Sequence, residues 1–237
     1  MISRCWTTVM MINRNKTTLL LVFLLVVAGG ILFGQRSDFQ TWFEAEADMG
    51  LKNGIDLSAE IEQRFQNYTT QFDRTLLTVA AEYDLSDYFS AAGGLRMLAV
   101  NDPESRVSTG FRIHADVKGN HSFSDVDLSL RIRFQYGFEE ILYFNEFSNN
   151  SFVNRIRVKA AYHIFGTKLG IFGSMESWGL IARDTGRFFK RMRYSLGAEY
   201  SLNFRSEFNL RYIFEDEFNQ PDPLQAHILV LGYSYAL

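Results

Sequence analysis

Between Val126 and Phe138 the chain alternates without interruption. Val126, Leu128, Leu130, Ile132, Phe134, Tyr136 and Phe138 share one parity; Asp127, Ser129, Arg131, Arg133 and Gln135 share the other. Period-two alternation marks a β-strand with one apolar and one polar face. This strand spans thirteen residues, whereas strands of soluble domains usually have about five or six. Its apolar face is too long for an ordinary core, and its polar face carries two arginines.

The pattern recurs almost to the last residue. Eleven segments carry it, near 38–48, 54–67, 73–84, 88–100, 105–118, 123–138, 152–165, 168–178, 189–202, 207–217 and 226–237. No helical period follows residue 35, and no linker divides the chain. Pro103, Pro221 and Pro223, the only prolines, lie in polar stretches, which keeps every strand ladder free of the residue that cannot donate to it. Connections after odd segments are short, such as "FGTK" and "NFRSE". After several even ones they are long and polar, at 139–151, 179–188 and 218–225.

Long strands, apolar on one face and charged on the other, with short turns at one rim and long loops at the other, describe a membrane-spanning β-barrel. In lipid every backbone polar group must be satisfied internally, so the sheet closes. The expected fold is all-β: one antiparallel barrel of about 10–12 strands over residues 35–237. Single-chain bacterial barrels carry even strand numbers, so twelve is favoured over the eleven segments counted. The alternative is a soluble secreted barrel or sandwich, which uses the same alternation with its apolar face inside. Strand length, the density of Arg and Glu on the polar face and a strand running to Leu237 favour the membrane form.

The N-terminus differs in kind. Arg14 and Lys16 precede an apolar run from Leu19 to Phe33, the pattern of a signal peptide exported through the Sec pathway, with removal of residues 1–34. A membrane anchor is the other reading, but the run is shorter than about eighteen residues. Cys5, the only cysteine, lies in this leader, so the mature chain has no thiol chemistry. Cleavage removes three basic and no acidic residues and moves the formal charge from −3 to −6. An acidic chain without a compact basic patch excludes a nucleic-acid partner. The outer membrane is the expected location.

The end of the chain resembles the signal read by the barrel assembly machinery, with Gly232, Tyr235 and Leu237 at the matching positions. More widely, residues 38–237 resemble an uncharacterised family of Gram-negative outer-membrane barrels, a domain of unknown function. The features carrying this are Trp42, Glu60-x-Glu62-x-Arg64, Arg131-x-Arg133, Arg155-x-Arg157, Glu176, Arg191-x-Arg193 and His227. The resemblance implies location and fold, with membrane lipid and the assembly machinery as partners. It implies no activity.

The polar parity collects Glu44, Glu46, Glu60, Glu62, Arg64, Arg112, Arg131, Arg133, Arg155, Arg157, Glu176, Arg191 and Arg193. The first two segments are acidic, and the sixth and seventh are basic. In a closed barrel these face each other across the lumen. Poorly hydrated charges must be paired, which predicts a salt-bridge network plugging the barrel, with any partner engaged by the long loops. The alternative is a narrow channel for small polar solutes. A third reading, an outer-membrane hydrolase, needs a nucleophile, a His and a carboxylate in mutual reach. His163, Ser174 and Glu176 are the candidates, but a short "FGTK" turn sets His163 opposite Gly170, too far along the strand from Ser174. His114 is read as a member of the polar network. No catalytic residue, cofactor or metal is therefore assigned. The same turn sets Arg157 opposite Glu176. Trp42 is expected inward; Phe39, Phe43, Phe65, Phe138, Tyr200 and Tyr235 are expected outward as interfacial aromatics. "AAGGL" at 91–95 is read as relief of crowding in the wall.

Overall fold

The computed structural model describes residues 36–51, 54–101, 107–139, 152–180, 189–219 and 222–237. The leader, its cleavage position, the loop stretches 140–151 and 181–188 and the side chain of Phe138 lie outside the described residues.

Each alternating segment forms a strand. They are β1 (Arg36–Leu51), β2 (Ile55–Gln66), β3 (Gln71–Asp84), β4 (Phe89–Asn101), β5 (Val107–Phe123), β6 (Val126–Glu139), β7 (Phe152–His163), β8 (Leu169–Leu180), β9 (Phe189–Ser201), β10 (Ser206–Glu217) and β11 (Leu224–Ala236). Consecutive strands pair antiparallel, and β1 meets β11 to close the barrel. The favoured count of twelve is corrected to eleven strands among the described residues. The even-number expectation fails because β1 and β11 pair in parallel, Arg36 opposite Leu224 and Asp48 opposite Ala236. Strand direction alternates around the ring, so an odd count closes only when one neighbouring pair runs parallel.

The closure fixes two unlike rims. Connections of two to five residues (52–54, 85–88, 124–125, 164–168 and 202–205) share the rim on which β11 ends. The strand ends that flank 67–70, 102–106, 140–151, 181–188 and 218–223 share the other, where β1 begins. These are called here the turn rim and the loop rim. Tight turns use backbone that L side chains seldom adopt: Gly54 and Gly166 have φ of 72° and 73°, and Asn67, Tyr68 and Thr69 are all left-handed. The Asp38 carboxylate accepts the Asn67 and Tyr68 backbone N–H groups at 3.3 and 3.2 Å, anchoring that last turn to β1.

The outer face is apolar. Leu77, Val79, Leu95, Ile113, Val117, Leu130, Ile156 and Val158 are all exposed there. Aromatic pairs on it include Phe43–Phe65 and Phe65–Phe72, with ring centres 5.9 and 5.5 Å apart. The inner face is not wholly polar. Leu76, Leu98 and Val100 form one buried cluster; Trp42, Ile213, Ala226, Ile228 and Val230 form another. Crowding inside explains a glycine of "AAGGL": a Cβ on Gly94 would lie 2.4 Å from the His114 ring and 2.9 Å from the Val79 carbonyl oxygen.

Candidate functional site in the barrel lumen

The β6–β7 register sets Arg131 directly opposite Arg157, and Arg133 opposite Arg155. Like charges so placed repel; carboxylates on the flanking strands offset this. Asp116 on β5 accepts two hydrogen bonds from Arg133, both at 2.7 Å. Glu176 on β8 accepts from Arg131 at 2.7 Å and from Arg155 at 3.2 and 2.9 Å, and Arg193 stands 4.0 Å away. Such charge-assisted, two-pronged bonds are the strong ones. The ladder places Arg157 opposite Glu176, yet no carboxylate of the described residues pairs with it within ion-pair distance.

The remaining charges also pair along the wall. Arg191 bonds Glu217 at 2.5 Å and Glu215 at 3.2 Å, and Arg193 bonds Glu215 at 2.9 Å. Arg211 reaches across β11 to both oxygens of Glu44 at 2.7 and 2.9 Å. Glu62 pairs with Arg64, and Glu60 with Arg96 at 3.2 Å. The expected pairing of the basic sixth and seventh strands with the acidic first two is therefore corrected. An arginine bridges one or two strand spacings of about 4.8 Å more readily than it crosses the lumen, so Arg131, Arg133 and Arg155 take their partners from β5 and β8, and Lys159 takes Glu199 on β9. Arg112 and Glu46 line the same cavity as these groups.

Two tryptophans lock the arginines into a girdle. The Arg64 guanidinium lies 3.7 Å over the Trp42 ring, and that of Arg155 lies 3.9 Å over Trp178. Arg193 stands between the two rings, 5.2 Å from Trp42 and 5.3 Å from Trp178. The series Arg64–Trp42–Arg193–Trp178–Arg155 links β2, β1, β9, β8 and β7, each contact within cation–π range. Both indoles are buried, and their N–H groups donate to Gln40 at 3.2 Å and to Glu176 at 3.3 Å.

Solvent exposure is graded along the axis. Side chains of the pairs Lys118–Glu82 and Lys159–Glu199, toward the turn rim, are 22–29% exposed. Those of Glu176, Arg155, Arg191 and Arg193 are 4–12% exposed. A cavity of about 440 Å³ extends from the girdle past Ser174, Ser195 and Arg157 to Lys118, Glu199 and Glu207. The lumen is thus a charged vestibule below a packed layer.

The groups considered for hydrolysis are kept apart. His163 stands opposite Gly170 and bonds Asp127 at 2.9 Å near the turn rim, while Ser174 stands opposite Lys159 and Ser195. Among the described residues no cluster of His, Cys, Asp or Glu is placed to hold a metal ion. At the chain end, Gly232 lies between Glu44 and Asn209 in the ladder, Tyr235 pairs with Ser206 and Ala47, and the Leu237 N–H donates to Asp48. Sequence reading missed Trp178, Arg96, Asp116, Arg211, Glu215 and Glu217. Their inward parity was the available signal: Trp178 shares it with Glu176, and Asp116 with Arg112.

The family described as "Protein of unknown function (DUF2490)" matches residues 39–224. No curated protein matches the chain. Among solved structures, that titled "NanC porin structure in rhombohedral crystal form" superposes with a TM-score of 0.54 at 14% identity, over 84% of this chain and 99% of that one. The outer-membrane expressed OmpT of Vibrio cholerae gives 0.41 at 12% identity, over 70% of this chain and 52% of that one. The anion-selective porin from Comamonas acidovorans gives 0.39 at 13%, over 76% and 53%. This chain spans about half the length of each of the last two. At 14% identity the likeness to the first of these is one of fold.

Proposed function

The chain belongs to the DUF2490 family, and from that premise we propose that it is an outer-membrane barrel whose lumen is closed by its own side chains. It acts as a scaffold that presents the loop rim to partners outside the cell and performs no catalysis. The observation that carries this reading is the Arg64–Trp42–Arg193–Trp178–Arg155 series, which spans five strands and is fastened by Glu62 and Glu176. Buried, mutually hydrogen-bonded charges of this kind resist displacement, because parting them leaves an uncompensated charge. The apolar outer face of long strands supports residence in lipid. Export through the Sec pathway and recognition of Gly232, Tyr235 and Leu237 by the assembly machinery belong to the same reading.

The test is electrical. Purified protein reconstituted into planar bilayers is expected to stay silent, with no unitary steps above the bare membrane. Stable, ion-selective conductance from the unmodified barrel would overturn the closed reading. It would favour the second one, a narrow channel for small polar solutes, which the 440 Å³ cavity and the rising exposure toward the turn rim support.

A further inference from the structure

We infer that the vestibule holds a binding site for a small organic or inorganic oxyanion, carrying a carboxylate or a phosphate, centred on Arg157. The inference rests on the proposed reading of the turn-side cavity as a solvent-filled vestibule under a closed girdle, and it adds the ligand class.

The first observation is a guanidinium without its carboxylate. Arg157 lines the cavity, stands opposite Arg131 on one side and Glu176 on the other, and receives no ion pair from the described residues. Glu176 is fully engaged with Arg155, Arg131 and the Trp178 N–H. The charges acting on Arg157 are Arg131, Glu176, Arg133 and Arg211, three of the four repulsive. A purely structural network would gain by placing a neutral residue here, since like charges directly opposed across a ladder destabilise it.

The second observation is a shortage of acceptors around the same point. Arg131 Nε and Arg211 Nε are buried and find no hydrogen-bond acceptor among the described residues. Each such donor costs free energy until something accepts from it. One acceptor in the region, Asn209 Oδ1, is also without a donor; its amide is packed against Gly232. The neighbouring cavity wall supplies neutral donors, the Ser174 and Ser195 hydroxyls, which stand opposite each other in the β8–β9 ladder. A planar guanidinium lining the same cavity as two hydroxyls matches a carboxylate or phosphate group by two-pronged hydrogen bonding. The cavity, at about 440 Å³, falls within the range of small-ligand sites, roughly 300–1,000 Å³.

The experiment uses the full mature barrel in detergent, at fixed pH and ionic strength set with chloride. Inorganic phosphate and, separately, succinate replace chloride in steps, and the melting temperature is followed by heat modifiability. The expected result is a saturable rise of several degrees for the unmodified protein with either anion. Arg157→Gln should abolish the rise without lowering the anion-free melting temperature, and Arg157→Lys, which retains the charge, should keep part of the rise. Isothermal titration of succinate gives a second readout that does not depend on melting. Phosphate also strengthens folding by general exclusion, so an equal rise in the unmodified protein and in Arg157→Gln would overturn the site, as would no rise in any protein. Neither result bears on conductance, so failure of the site and failure of the closed-barrel reading are separately visible.

Discussion

Arg157 stands opposite Glu176 in the β7–β8 ladder, but Glu176 gives its oxygens to Arg155 and Arg131. Adjacency in the ladder therefore does not decide the pairing here, and the two residues should respond oppositely to loss of charge. Glu176→Gln deprives Arg155 and Arg131 of their carboxylate. Breaking a desolvated pair costs about 3–5 kcal/mol, and water from the vestibule reduces that figure. Arg157→Gln removes a charge that has no ion-pair partner among the described residues and relieves its repulsion with Arg131, so stability should hold or rise. Guanidinium-chloride unfolding of the detergent-solubilised barrel measures both. Equal midpoints for the two variants would show that the Glu176 network does not hold the lumen together.

The girdle should be a removable obstruction. Trp42→Ala and Trp178→Ala together take away both rings against which Arg64, Arg193 and Arg155 stack. The freed guanidinium groups lose cation–π contacts worth about 0.5–2 kcal/mol each, and their side chains can swing toward the wall. Unitary conductance steps are expected from the double variant in planar bilayers, against silence from the parent. If the double variant stays heat-modifiable and silent, the packed apolar residues nearer the loop rim, not the girdle, form the seal.

Gly94 offers a steric test of the wall. A methyl group there would sit 2.4 Å from the His114 Cε1 atom and 2.9 Å from the Val79 carbonyl oxygen. The ring can turn, but the backbone oxygen cannot. Gly94→Ala should cost about 1–3 kcal/mol, in the range of overpacked cores. Adding His114→Ala should restore only the part due to the ring. Full restoration in thermal melts would show that the carbonyl contact is relieved by a small shift of β3.

How much of this was legible in the sequence depends on the kind of contact. The strand at Val126–Glu139 follows from alternation alone, and the Arg157–Glu176 register follows from one short turn. The partners of Glu176 do not follow, because an arginine side chain reaches diagonally and Arg155 lies two residues from the ladder position. The inward face of β11 was also opaque. Both parities of "HILVLGYSYAL" are apolar, so the pattern does not say that Ile228 and Val230 turn into the lumen while Leu231 faces out. Trp178 was visible by parity but not by chemistry, since an indole among arginines reads as ordinary aromatic content. The closing pair was least legible. β1 and β11 are joined by no turn, and only the geometry of the whole ring sets their direction.

That parallel pair makes the sharpest topological prediction. With β1 starting at the loop rim and β11 ending at the turn rim, the two ends of the barrel lie on opposite faces. In an outer-membrane barrel short turns mark the periplasmic face and long loops the outer one, so on the proposed reading Arg36 is expected at the cell surface and Leu237 in the periplasm. Cys5 precedes the barrel and is the only cysteine, so single-cysteine variants in a Cys5→Ser background report one site each. A membrane-impermeant maleimide added to intact cells should label Ser37→Cys and Thr70→Cys, both at the loop rim. It should label Ser86→Cys, in a turn-rim connection, only after the outer membrane is opened. Asn203→Cys, in the turn before β10, should behave like Ser86→Cys. An even-stranded barrel with a further strand between β3 and β9 would reverse every later strand, and Asn203→Cys would then react on intact cells together with Thr70→Cys. The behaviour of Asn203→Cys relative to Thr70→Cys therefore tests the odd count.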